Sequence, residues 1–139
     1  MRATFEICAK NADKPPLTFY EIKRTLDQFN DNDSWVMTSA GRFSEKAEMF
    51  PNSVFIIGTD TFMRVFDEKF YLNKKDMLSH VERFNDHNIH FLVFGRMVQD
   101  IFISLRDIAI PDSIKHRCTG FDEASFRDDI SSTKLRLED

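Results

Sequence analysis

Two apolar stretches, one unbroken and one interrupted only by His90, each closed by a glycine, constrain the fold of this chain most. Val54-Phe55-Ile56-Ile57 ends at Gly58, and the run from Ile89 to Phe94 ends at Gly95. An amphipathic strand alternates apolar and polar residues. A run without alternation, four to six residues long, predicts a strand buried on both faces of a parallel sheet. Parallel neighbours need crossovers, so helices must lie between such strands.

The rest of the chain supplies them. Residues Ala3 to Ala9 alternate, with Ala3, Phe5, Ile7 and Ala9 on one face, and predict a strand. A polar loop from Lys10 to Pro16 follows. Thr18 and Glu21 form a T-x-x-E capping box, ahead of a helix with Phe19, Ile22, Leu26 and Phe29 on one stripe. The run Asn30-Asp31-Asn32-Asp33 stops that helix. Trp35-Val36-Met37-Thr38 predicts a short strand, and Phe43, Ala47 and Phe50 a brief helix ending before Pro51. A helix is predicted over Thr61 to Phe66. Asn73 caps a longer one with Met77, Val81 and Phe84 inward. Between Arg96 and Thr119 the pattern is least legible: Ile101 to Ile103 reads as a strand and Pro111 as a turn or helix start. The rhythm of strand and helix predicts one α/β domain with a mainly parallel sheet.

Bulk properties narrow the function classes. The 139 residues are 42% apolar and include fifteen phenylalanines, enough for one aromatic-rich core. A net charge of −4 argues against a nucleic-acid surface driven by bulk electrostatics, though not against a local phosphate pocket. The apolar runs are too short to span a bilayer. Met1-Arg2-Ala3-Thr4-Phe5-Glu6 reaches a carboxylate at once, so no signal peptide is expected and the chain reads as cytoplasmic. Cys8 and Cys118 lie far apart without metal-type spacing and read as reduced thiols, with a disulfide as the alternative. His80, His87, His90 and His116 pair with no cysteine or carboxylate at ligand spacing, so no metal site is expected from them.

Four places carry candidate chemistry. Ile130-Ser131-Ser132-Thr133-Lys134-Leu135-Arg136 is a hydroxyl-rich turn feeding a helix. Unpaired N–H groups there, with Ser131, Ser132 and Thr133, can cradle phosphate oxygens. Arg136, three residues beyond Thr133 on the same helical face, can clamp a further phosphate with its planar fork. Gly58-Thr59-Asp60 stands at the carboxyl end of a predicted parallel strand, where open α/β sheets bind ligands. There a glycine admits a nucleotide to the backbone and an aspartate can take a ribose hydroxyl. Lys14, on a stiff loop after the first strand, can hold a phosphate as a point charge. Arg96 also lies at a strand's carboxyl end, as a pocket candidate. Each has a plainer reading: a helix cap, a strand end, a solvated loop and a surface arginine.

Taken together, the motifs resemble a known family. The string from Ile130 to Arg136 resembles the I-S-S-T-x-[IL]-R signature of nucleotidyltransferases of the nicotinamide mononucleotide adenylyltransferase type. Gly58-Thr59-Asp60 resembles their G-[AT]-D-T segment. Asn11-Ala12-Asp13-Lys14-Pro15-Pro16-Leu17 looks like a string of cytidylyltransferase-like proteins. The likeness continues through Phe43, Glu45-Lys46-Ala47, Phe50-Pro51 and Phe126-Arg127-Asp128-Asp129, and so covers nearly the whole chain.

The resemblance implies a Rossmann-like three-layer α/β/α sandwich. It implies ATP or CTP with Mg²⁺ as ligands and a small phosphorylated acceptor as partner. Ser131, Ser132, Thr133 and Arg136 would hold the phosphates, Gly58, Thr59 and Asp60 the sugar region, and Lys14 the acceptor phosphate. One departure stands out. Family members open with a strand, turn and helix carrying H-x-G-H, whose histidines stabilise the transferring phosphoryl group. This chain has no H-x-G-H. Residues 1–139 therefore read as a single nucleotidyltransferase-like domain truncated at its N-terminus and impaired as a catalyst. The missing strand would be central in a sheet ordered 3-2-1-4-5, and its loss would leave a slot. A truncated gene product, a split enzyme completed by another chain, or a degenerate binding module each account for this. The slot in turn suggests a homo-oligomer or a completing chain as partner.

Overall fold

A computed structural model describes residues 4–9 and 17–120. The chain divides into two compact units, Met1–Lys46 and Ala47–Asp139. Both are mixed α/β and both contain parallel strands.

In the first unit, strand β1 (Thr4–Cys8) pairs in parallel with β2 (Ser34–Thr38), Thr4 opposite Ser34 and Cys8 opposite Thr38. Helix α1 (Phe19–Leu26) connects them. Its start follows the capping chemistry: Thr18 Oγ1 accepts the Glu21 N–H at 3.1 Å, and the same hydroxyl donates to Glu21 Oε1. It stops earlier than expected, at Leu26 with Asp27 N–H donating to Lys23 O, and the Asn30–Asp33 run forms a tight turn beyond it, where Asp33 Oδ2 accepts the Asn30 N–H at 2.8 Å. The predicted stripe is only partly realised. Phe29, beyond the helix, stacks on Phe5 at 5.5 Å between centroids, but Phe19 is 84% exposed.

Helix α2 (Phe43–Met49) contains the boundary between the units and ends before Pro51, as expected. In the second unit, β3 (Val54–Gly58), β4 (His90–Phe94) and β7 (Cys118–Gly120) form a wholly parallel sheet in that order. Between β3 and β4 run α3 (Thr59–Val65) and α4 (Lys74–Asp86). Asn73 Oδ1 caps α4 through the Asp76 N–H at 2.8 Å. At its other end Asn88 adopts φ 54, and the helix closes by Asn88 N–H to Asn85 O and Ile89 N–H to Phe84 O. That is the left-handed termination that asparagine tolerates better than most residues.

The core of this unit is aromatic. The Phe91 ring lies 5.1 Å from Phe62 on α3 and 4.9 Å from Phe84 on α4, and all three are fully buried. Truncating any one of them to alanine costs about 3–5 kcal/mol. The helices cover the face that holds Phe91 and Val93. Here the expectation for β3 is corrected. Val54 is 41% and Ile56 56% exposed, because β3 is an outer strand whose second face these helices do not reach. An unbroken apolar run does not distinguish a central strand from an outer one.

The illegible stretch resolves as a hairpin. Strand β5 (Arg96–Val98) pairs antiparallel with β6 (Ile101–Ile103) across Gln99 and Asp100, both at positive φ. That is the signature of a tight primed turn. 3-10 turns at Leu105–Asp107 and Lys115–Arg117 then lead to β7. Arg117 anchors this return: its Nε donates to Asn85 Oδ1, and its Nη1 to Asn88 Oδ1 at 3.0 Å and Ile89 O at 3.3 Å. A guanidinium at the end of α4 also opposes the helix dipole. Among the described residues no helix is long and apolar enough to cross a membrane.

Candidate functional site

All three strands of the second unit's sheet end at glycine: Gly58 closes β3, Gly95 follows β4 and Gly120 closes β7. The segment Phe102–Leu105 crosses these ends, one residue to each. A Cβ on Gly95 would lie 2.5 Å from Phe102 Cε1, and one on Gly120 would lie 2.6 Å from Leu105 Cβ. Ile103, between them, offers its carbonyl oxygen to the Thr59 hydroxyl at 2.9 Å. Glycine is thus required at β4 and β7 because the chain's own side chains pack there.

The β3 end differs, because polar groups meet there. A Cβ on Gly58 would lie 2.7 Å from Asp60 Oδ1, 3.2 Å from Arg96 Cγ and 3.4 Å from Arg96 Nη1. Gly58 and Asp60, on one segment, and Arg96, on another, therefore converge on one corner. Asp60 Oδ1 is buried and has no hydrogen-bond partner among the described residues. A buried acceptor left unpaired costs about 1–3 kcal/mol, so it marks strain or a site awaiting a donor. Thr59 is fully buried with its hydroxyl engaged by Ile103. Of the Gly58–Asp60 string, Asp60 is the residue whose side chain shares with Arg96 the space beside Gly58.

Lys14, Ser131, Ser132, Thr133 and Arg136 lie outside the described residues. Among the described residues no group of three or more His, Cys, Asp or Glu side chains could hold a metal ion.

A second polar cluster, in the first unit, has no counterpart in the sequence analysis. Lys46 Nζ donates to Glu6 Oε1 at 2.8 Å, and the Thr38 hydroxyl donates to Glu6 Oε2 at 2.8 Å. The ammonium also sits 4.3 Å from the Phe43 ring centroid. Lys46 is only 8% exposed. The cluster is satisfied internally and reads as structure. In the sequence Glu6 stands where the alternation of the strand expects a polar residue, and nothing there pairs it with Lys46 or Thr38. The bond to the Ile103 carbonyl left no trace at all, since a backbone acceptor has no sequence.

No family model matches the chain, and no curated protein or solved structure matches it.

Proposed function

We propose that this chain is a nucleotidyltransferase-type domain that binds a nucleoside triphosphate, ATP or CTP, for transfer to a small phosphorylated acceptor. The finer arrangement we infer is Rossmann-like, a three-layer α/β/α sandwich, in a cytoplasmic protein. The observation that carries the reading is the unpartnered Asp60 Oδ1 beside Arg96 over the Cβ-less Gly58, at the carboxyl end of a parallel strand. A carboxylate oxygen without a donor, with a guanidinium near the same glycine, suits a ligand carrying both hydroxyl and phosphate groups. A ribonucleotide has both. Ser131, Ser132, Thr133 and Arg136 support the reading from sequence as a second phosphate-binding element. A single carboxylate fits Mg²⁺ held mainly by phosphate oxygens and water, which a triphosphate brings with it.

The test is calorimetric titration of the protein with ATP and with CTP, each with Mg²⁺, repeated for Asp60→Asn and Arg96→Ala. Losing one charge-assisted contact should weaken binding about ten- to a hundredfold. Saturable binding that neither variant alters would place the ligand elsewhere, and no binding of either nucleotide would end the proposal.

One observation favours a second reading, a non-catalytic interaction module. Val54 and Ile56 are exposed on an outer strand, a surface that suits strand addition or self-association. Light scattering separates the two: a concentration-dependent dimer abolished by Ile56→Lys favours the module, and a monomer at all concentrations counts against it.

A further inference from the structure

We propose that Thr59 is a positioning residue. Its hydroxyl, through the Ile103 carbonyl, sets where the hairpin β5–β6 holds the Arg96 guanidinium over Gly58. The inference rests on the nucleotide-binding reading only in naming what Arg96 is positioned for.

Thr59 opens α3 and is 0% exposed. Its Oγ1 donates to Ile103 O at 2.9 Å, across 44 residues of chain. Ile103 is the residue that pairs with Arg96 across the hairpin. One side-chain hydrogen bond therefore ties the start of α3 to the strand pair that carries the guanidinium. A buried hydroxyl in this place is not explained by packing, since valine has nearly the same shape. It is explained by the carbonyl, which would otherwise be left without this donor.

The other ties of the return segment bear on different strands. Phe102 packs over Gly95, and Leu105 over Gly120. Asp107 Oδ2 then accepts from the Ser104 N–H at 2.9 Å and from the Ser104 hydroxyl at 3.1 Å, which fixes the segment just beyond Ile103. Together these hold the hairpin on β4 and β7. Thr59 is the tie on the β3 side, where Asp60 and Gly58 lie. Without it the hairpin keeps its attachment but loses its register against the corner that Arg96 must reach.

The experiment compares Thr59→Val, which keeps shape and removes the donor, with Thr59→Ser, which keeps the donor. Two readouts are taken on each folded protein: the Arg96 side-chain Nε–H signal, assigned by its loss in Arg96→Ala, and the affinity for ATP with Mg²⁺. Thr59→Val should move the Arg96 signal and weaken ATP about two- to tenfold, the worth of one neutral hydrogen bond. Thr59→Ser should restore both. An Arg96 signal unmoved by Thr59→Val overturns the positioning role, whatever happens to ATP. A signal that moves in a protein that binds no ATP upholds the positioning and defeats the nucleotide reading instead. Should Thr59→Val not fold, Thr59→Ser and Thr59→Ala, which differ from each other only by the hydroxyl, make the same comparison.

Discussion

The ring of Phe102 occupies the space that a side chain on Gly95 would need, while the atoms nearest the corresponding space at Gly58 belong to the polar side chains of Asp60 and Arg96. These two glycines close similar apolar strands, yet they serve different ends. Gly95→Ala must displace an aromatic ring and crowd the Ile103 carbonyl, so it should cost about 1–3 kcal/mol in urea unfolding. Gly58→Ala meets flexible polar side chains. It should cost less stability and weaken nucleotide binding more. The reverse ranking would mean that the open corner lies at β4.

The motif from Ser131 to Arg136 gives a prediction independent of that corner. Arg136→Ala should weaken ATP with Mg²⁺ by about tenfold or more, as expected for a lost arginine–phosphate contact. An unchanged titration would leave the motif as an ordinary helix start.

The cluster in the first unit should behave as a pair. Lys46→Met strands the Glu6 carboxylate, whose side chain is 26% exposed, and should cost about 2 kcal/mol. Adding Glu6→Gln should recover part of that loss, because both desolvated charges are then gone. A double variant no better than the single one would show that Lys46 acts through packing against Phe43.

Burial pushes the Cys118 thiol up to about 11, and its hydrogen donates to Ile114 O. The neutral form is the favoured one in the folded protein. Its contribution to stability is therefore present below its ordinary value near 9 and is lost as pH rises through about 11. Folded protein at pH 8 should alkylate Cys118 far more slowly than urea-unfolded protein. Equal rates would refute the burial.

The Asp107 carboxyl is held below its ordinary value of 3.8, first by the backbone N–H of Ser104 and then by its hydroxyl. A lowered carboxyl stabilises above that value and loses the contribution as pH falls through the folded-state value. Asp107→Asn should therefore flatten the acid limb of stability below pH 4. An unchanged acid limb would mean that this turn does not fold with the rest.

The local features were legible in the sequence because their causes are local. Thr18 and Asn73 start helices through bonds to residues three positions on, and Met77, Val81 and Phe84 share a face through helical spacing alone. Gly58 and Gly95 end strands in the sequence as they do in the structure. Asp60 and Arg96 were each visible as residues at strand ends, but not as neighbours. Their approach to one corner depends on a hairpin whose register is set by Gln99 and Asp100 at positive φ, residues that do not announce a primed turn as Asn-Gly would. The exposure of Val54 and Ile56 was hidden for a similar reason, because strand order is a matter of pairing partners rather than of composition. Outside the stretch from Arg96 to Thr119, sequence alone determined most of the helices and strands and which residue types stand at their ends. Tertiary structure alone decided which ends converge, because convergence rests on packing and on backbone acceptors such as the Ile103 carbonyl, which carry no letter of their own.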